Sequence, residues 1–405
     1  MNALRLRMLW KVDAIGKILK IMKIAICVVC YNRPDSLKRL LSSLEKAYYD
    51  EPVTLIISID KSKTTVVEEL ADKYNWEYGE LRVIKHEQNL GLRKHILSVG
   101  EHLKEFDAIV VLEDDIYVAP SFYSYAKQCV EKYHDNPKIA GISLYNFPLN
   151  YQCKLPFMQT HTDSDVFLLK SAVSWGQVWM RDQWFAFKEW YAKHDEEFDI
   201  LPHLPLAICA WPKSSWLKYH IKYCIEENKY FVYPYTSLTT CFCDLGTHAV
   251  KKQTHTQAVM MDGIKTDYKL NPTITYDGFF EAEAIYNHLG MTEKDLCIDL
   301  FGEKKNRLNR RYWLTQELKP FKVVKSYALD FKPWEQNVLR DLEGNEIFLY
   351  DTTIKATTPS NKHICINRDF FLYSTYIDLR SVLKQETMEF LLNIKHKLFG
   401  VKKKN

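Results

Sequence analysis

The chain has 405 residues, 47% of them apolar and 26% charged, with a formal net charge of +4. Such a length buries a full core and allows two or three domains, and the charge is too small to argue for a nucleic-acid partner. Ten cysteines in so long a chain, without a secretory signal, read as reduced thiols of a cytosol; no stretch reaches the about 18 apolar residues of a membrane-spanning helix.

Residues 1–21 mix Leu4, Leu6, Leu9, Trp10, Ile15, Ile18 and Leu19 with Arg5, Arg7, Lys11, Lys17 and Lys20. The pattern predicts a basic amphipathic helix that lies on an anionic membrane surface. The alternative is a start at Met22, where a strand begins naturally. At the other end, Lys395, Lys397 and Lys402 to Lys404 repeat the basic theme. Together the two ends point to a peripheral position on the inner face of a membrane.

From Met22 the chain alternates strands and helices. Residues 24–30 form a first buried strand, in which Cys27 and Cys30 face opposite ways. Tyr31-Asn32-Arg33-Pro34 ends it, and Asp35 or Ser36 caps a helix with Leu37, Leu40, Leu41 and Leu44 on one face. Residues 55–59 are a second strand closed by Asp60, followed by a helix over 65–74. Residues 81–84 are a third strand, running out through Asn89-Leu90-Gly91 into a helix that carries Leu92, Ile96, Val99 and Leu103 inward. The fourth strand, Asp107 to Leu112, runs directly into Glu113-Asp114-Asp115.

Unpaired carboxylates are not tolerated inside a core, so these three leave the sheet at its carboxyl edge. With the backbone extended, Glu113 and Asp115 point one way and Asp114 the other. Massed acid at a strand end suits Mg²⁺ or Mn²⁺, which in turn holds phosphates. Alternating strands and helices imply right-handed crossovers and a parallel sheet, an α/β fold. All four strand ends then meet on one edge, where open α/β sheets bind ligands. That crevice gathers acids for a metal, cations for phosphate and an isolated Asp60, the outline of a nucleotide-diphosphate pocket. No Gly-x-Gly-x-x-Gly or Walker sequence is present, which excludes a dinucleotide fold and a P-loop.

Cys30-Tyr31-Asn32-Arg33-Pro34, Asp60, Asn89-Leu90-Gly91 and Leu112-Glu113-Asp114-Asp115 resemble family 2 glycosyltransferases of the GT-A fold. The acidic stretch continued to Phe122, Ser174-Trp175-Gly176, the Trp179 to Trp184 stretch and Gly246-Thr247-His248 are similar to the N-acetylglucosaminyltransferase I family. The resemblance spans about residues 22–250. It implies a mostly parallel, helix-flanked GT-A sheet and metal-dependent, inverting transfer from a nucleotide-diphosphate sugar, UDP-linked first, of the hexosyl or N-acetylhexosaminyl class. The acceptor is a glycan or lipid-linked glycan, in bacterial-type surface polysaccharide assembly.

Residue by residue, the resemblance implies that Asp60 recognises the base and that Arg93 or Lys94 reaches ribose or phosphate. Tyr31, Asn32, Arg33, Asn89 and Gly91 complete the nucleotide site. Glu113 and Asp114 face the nucleotide, while Asp115 and His248 ligate the metal. Trp175 beside Gly176 is assigned to the substrate, since flat sugar faces stack on aromatics and glycine allows close approach. Trp184, Phe187 and Trp190 have helical spacing and read as core.

One departure concerns the base. The similar families carry an acid beside a Trp where this chain reads Trp211-Pro212-Lys213-Ser214-Ser215-Trp216. The base that inverting transfer needs then moves to Asp244 or Asp182. Two rivals stand beside the transferase: a sugar-1-phosphate nucleotidyltransferase, which wants a Gly-rich loop after its first strand, and a non-catalytic nucleotide-binding or scaffolding subunit, which the missing acid favours.

The expected organisation is an N-terminal segment 1–21, a GT-A domain 22–320 and an appended α+β unit 321–405. Within the domain, 22–120 bind nucleotide, 121–250 face the acceptor and 251–320 extend it. Residues 252–271 read as a mobile loop over the site.

Overall fold

The computed structural model describes residues 10–12, 18–20, 22–242, 244, 256–304, 307–359, 383–384, 387–388, 390–391 and 394. His248, the Phe370 to Tyr373 cluster and the lysine-rich end lie outside the described residues.

The four expected strands are β1 (Ile24–Cys30), β2 (Thr54–Ile59), β3 (Leu81–Lys85) and β4 (Ala108–Glu113), all mutually parallel where they pair. The crossovers are α1 (Pro34–Glu45), α2 (Val66–Lys73) and α3 (Leu92–Val99), the last continued by a 3₁₀ turn over Gly100–Lys104. The first helix buries Leu37, Leu40, Leu41 and Leu44 as its spacing predicts. Its N-cap is Arg33 and no side chain caps it, because the helix starts at Pro34 and so takes Asp35 and Ser36 into its first turn. A short β5 (Ile116–Val118) and α4 (Phe122–Tyr133) follow.

The acceptor-side half adds β6 (Ile139–Ser143), β7 (Val166–Leu169), β8 (Gln177–Met180), α5 (Arg181–Tyr191), α6 (Leu217–Glu226), β9 (Tyr230–Pro234), β10 (Thr239–Cys241) and β11 (Thr275–Tyr276). Among the described residues the main sheet has the order β11-β7-β9-β6-β8-β4-β1-β2-β3. Strand β8 runs antiparallel between β4 and β6, and β7 runs antiparallel to β9. The other pairs are parallel, so the sheet is the mostly parallel one that the GT-A resemblance implies. The inner strands are buried on both faces, which is why they read as unbroken apolar runs. Cys27 and Cys30 do fall into the two different cores on either side of the sheet.

Three expectations about organisation are corrected. Trp10–Val12 and Ile18–Lys20 pair as an antiparallel ribbon, not a helix. Val12 and Ile18 are β-branched and Gly16 lies between them in sequence, so the composition serves a hairpin as well as a helix. The appended unit begins near residue 296 and not at 321. Its four-stranded sheet, ordered β12-β13-β15-β14, joins β12 (Leu296–Asp299) and β13 (Tyr312–Thr315) to β14 (Phe321–Tyr327) and β15 (Ile347–Lys355). The pairing partner of β13 lies far along the chain, and periodicity carries no record of it.

Third, of the expected loop 252–271, residues 256–271 are described: Thr256 lines the larger of two cavities at the sheet edge, while the later part packs on the domain. Tyr268 and Leu270 are buried, the Tyr133 hydroxyl donates to the Leu270 carbonyl at 2.8 Å, and Lys265 pairs with Asp165 at 2.6 Å. Among the described residues no helix is long and apolar enough to cross a membrane.

Candidate functional site

Parallel pairing of β1, β2 and β4 brings three loop starts to one edge: Tyr31 to Arg33, Asp60, and Glu113 to Asp115. They line a cavity of about 380 Å³ together with Asn89, Gly91, Leu92, His95 and Asp244. A second cavity of about 670 Å³ adjoins it, sharing Leu92 and Glu113.

The chain leaves the extended conformation after Glu113, and the next two residues turn. Asp114 and Asp115 therefore do not alternate as an extended strand would place them. Both face Arg33, whose Nη2 donates to Asp114 Oδ1 and whose Nη1 lies 3.2 Å from Asp115 Oδ2. Burial pushes the Asp114 carboxyl up to about 6, against the opposing pull of Arg33. Burial, with the neighbouring Asp115 and Asp114 charges, pushes Glu113 up to about 8.

Asp60 is buried and takes three backbone N–H groups: Lys61 at 2.9 Å and Leu90 at 2.8 Å on Oδ1, Gly91 at 2.9 Å on Oδ2. It fixes the 89–91 turn, in which Gly91 has φ +74° and Asn89 Nδ2 donates to the Lys61 carbonyl at 2.9 Å. That leaves the carboxylate one lone-pair direction for a ligand.

His95 lines the same cavity and was not foreseen from sequence. Its Nε2 lies 2.8 Å from Ser58 Oγ, which also meets His86 Nε2 at 3.3 Å. Burial lowers its pKa to about 4, so it is neutral at pH 7. The signal was present in the spacing: four residues after Gly91, His95 returns to the face of α3 that Leu92 opens on the cavity.

Arg93 and Lys94, on the same helix, do not line this cavity. Arg93 is spent on protein: Nε donates to the Tyr191 hydroxyl at 2.6 Å, and Nη1 and Nη2 to the carbonyls of Lys213 at 3.0 Å and Asp195 at 3.1 Å. Its guanidinium also lies 4.3 Å over the Tyr219 ring. Lys94 is exposed and does not line the cavity. Asp182 is corrected likewise. It is exposed in the first turn of α5, beyond Met180, which pairs with Ala108 at the start of β4. Strand β8 runs antiparallel there, so Asp182 lies at the edge of the sheet opposite the acids.

Asp244 does reach the cavity, but it accepts hydrogen bonds from Ser36 Oγ at 2.7 Å and from Arg39, whose guanidinium stacks 3.9 Å over Phe242. Partial burial pushes its pKa up, and those two donors outweigh this and hold it below the usual range.

The larger cavity is aromatic, with Phe147, Tyr151, Trp175, Trp211 and Trp216 in its wall. Tyr151 and Trp211 stack at 6.0 Å between ring centres. Trp175 is in the wall of this cavity, and Gly176 is not among its lining residues. With φ +94°, it is the place where a Cβ would come within 2.8 Å of Thr239 Cγ2, and Thr239 Oγ1 donates to the Trp175 carbonyl at 2.6 Å. The close approach is by the protein itself. Ser214 and Ser215 also face this cavity, and Glu113 is the acid among its described lining residues.

Among the described residues no three His, Cys, Asp or Glu side chains gather into a complete metal site. Asp114 and Asp115 nevertheless fit a hard divalent ion of the kind that takes one or two carboxylates and completes its shell with phosphate oxygens and water. Arg33 already puts a cation against both of them.

Residues 25–173 match the sequence model of the family described as glycosyl transferase family 2. No curated protein matches the chain. Among solved structures, it is similar to S. aureus TarS 1–349 in complex with UDP-GlcNAc, at 14% identity and a TM-score of 0.36, covering 57% of this chain and 62% of that one. It is also similar to the mannosyltransferase PcManGT from Pyrobaculum calidifontis in complex with GDP-Man and Mn²⁺. There the identity is 12% and the TM-score 0.29, covering 40% of this chain and 45% of that one. The chain therefore spans less than two thirds of the length of either.

Proposed function

We propose that the chain is a glycosyltransferase moving a sugar from a nucleotide-diphosphate donor to a hydroxyl of a glycan acceptor. The observation that carries this is the pair of adjoining cavities, one acidic and one aromatic, sharing Glu113. The family 2 match over the nucleotide half supports it.

The base end of the donor lies against the turn ordered by Asp60, with neutral His95 beside it. Asp114 and Asp115 would hold a divalent ion between them and the diphosphate; when bound, that ion supplies Lewis-acid stabilisation of the leaving group. The sugar then points into the aromatic cavity, where Trp175 and the Tyr151–Trp211 stack offer flat faces. Glu113 is the carboxylate that borders both donor and acceptor. Burial and the Asp115 and Asp114 charges keep Glu113 largely protonated near pH 7, and a divalent ion held by those two carboxylates would offset their charge and favour its ionised form. As the acceptor oxygen bonds to the anomeric carbon and the carbon–oxygen bond to phosphate breaks, ionised Glu113 takes the hydroxyl proton. This moves the base from Asp244, whose Oδ2 accepts from both Ser36 and Arg39 and which does not line the aromatic cavity. In this reading the acceptor is free or lipid-linked glycan in surface polysaccharide assembly, and the basic ends hold the protein at an anionic inner membrane face.

The test is a thermal-shift panel of nucleoside diphosphates with and without Mn²⁺, followed by donor hydrolysis and transfer assays. Ligand at a hundred times its dissociation constant stabilises by about 2.7 kcal/mol, and at about 2–4 °C per kcal/mol that is a shift of about 5–10 °C. No shift with any nucleotide would sink the proposal. A shift without hydrolysis or transfer would leave the non-catalytic subunit.

A further inference from the structure

Arg33 sits at the N-cap of α1, fixed by Pro34 on one side and by the end of β1 on the other. Its guanidinium reaches across the cavity to Asp114 Oδ1 and to Asp115 Oδ2, the latter at 3.2 Å, and is itself about a quarter exposed to that cavity. A planar fork carrying one positive charge thus lies against the two carboxylates fitted to a divalent ion. In this position the guanidinium relieves the repulsion among three consecutive acids. An ion arriving at the same oxygens meets a like charge and an engaged lone pair, so it competes with the guanidinium for them.

We infer that Arg33 is an internal stand-in for the divalent ion, and that ion and diphosphate displace it together. A released guanidinium on this loop remains within the cavity and finds its new partner in the diphosphate, which has the geometry its fork accepts. The ion alone must evict Arg33 into solvent. The ion with a diphosphate hands it to another anion. Binding of the two is consequently coupled, and by linkage each tightens the other by the same factor. The inference rests on the donor-binding reading above, but its own content is the exchange of Arg33 between carboxylates and phosphate.

The experiment measures free Mn²⁺ by electron paramagnetic resonance in titrations of the full chain, alone and with UDP and GDP in turn. In the native protein Mn²⁺ alone should bind weakly, and the diphosphate that binds should tighten it at least about tenfold, within the range of coupling typical between sites. R33Q keeps hydrogen bonding but removes the charge; Mn²⁺ alone should then bind about tenfold more tightly, and most of the coupling should vanish. R33K restores a point charge without the fork and should fall between the two.

A folded R33Q protein that binds Mn²⁺ alone no better than the native chain overturns the inference. Should R33Q fail to fold, the native chain still decides: equal Mn²⁺ affinity with and without a bound diphosphate refutes the coupling. If neither UDP nor GDP binds, yet R33Q gains Mn²⁺ affinity, the stand-in survives and it is the donor reading that fails.

Discussion

His220 allows a quantitative test of the core beneath the aromatic cavity. It is fully buried on α6, stacked on Phe187 at 4.2 Å and edge-on to Phe231 at 5.2 Å, and neither ring nitrogen has a hydrogen-bond partner. Burial lowers its pKa from 6.5 to about 3. Between those two values the unfolded chain binds a proton that the native one refuses, so stability rises with pH across that window and is complete above it. Lowering the pH from about 7.5 to about 5 should therefore cost about 2 kcal/mol through this residue alone. With thermal midpoints moving about 2–4 °C per kcal/mol, the loss is about 4–8 °C.

Other groups titrate in the same interval, so the informative quantity is a difference between proteins. His220→Phe keeps a ring in the stack and removes the proton site. Whatever the substitution changes in packing is present at both pH values and cancels. Denaturation of both proteins at both pH values should give the variant a pH-dependent loss smaller by about 2 kcal/mol. Equal losses in the two proteins would refute the burial argument.

Asp115→Asn should abolish the Mn²⁺-dependent part of nucleotide stabilisation while leaving the melting temperature of the ligand-free protein unchanged or slightly raised, since it relieves repulsion beside Glu113 and Asp114. Unfolding would instead show that the fold depends on the Asp115–Arg33 pair. Glu113→Gln should cut kcat about 10²–10⁴-fold with little change in donor affinity; near-full turnover removes it as the base. Asp182→Asn, at the far edge of the sheet, should leave turnover within about twofold, its effect being that of an ordinary surface change. Asp60→Asn puts an amide where three backbone N–H groups now find acceptors, and should cost about 1–3 kcal/mol of stability as well as nucleotide binding, read by melting and by the same nucleotide panel.

Local sequence determined the nucleotide half. Buried parallel strands must be apolar throughout, and their polar ends must fall on one edge, so Tyr31 to Arg33, Asp60 and Glu113 to Asp115 were legible as one site without any knowledge of partners. The fold class followed from the same alternation. Only the tertiary structure decided what those residues touch. Whether a cation on α3 meets phosphate or protein depends on a rotation of about 100° per residue and on what packs opposite. Arg93 meets Tyr191 and Tyr219, while His95 meets the cavity. Asp182 was placed by the direction of β8, an antiparallel insertion between two strands that run the other way, and nothing local announces a reversal. The start of the appended sheet escaped notice because β13 pairs with a strand more than 30 residues on. Hydrophobic pattern records which face is buried; it keeps no record of which neighbour buries it.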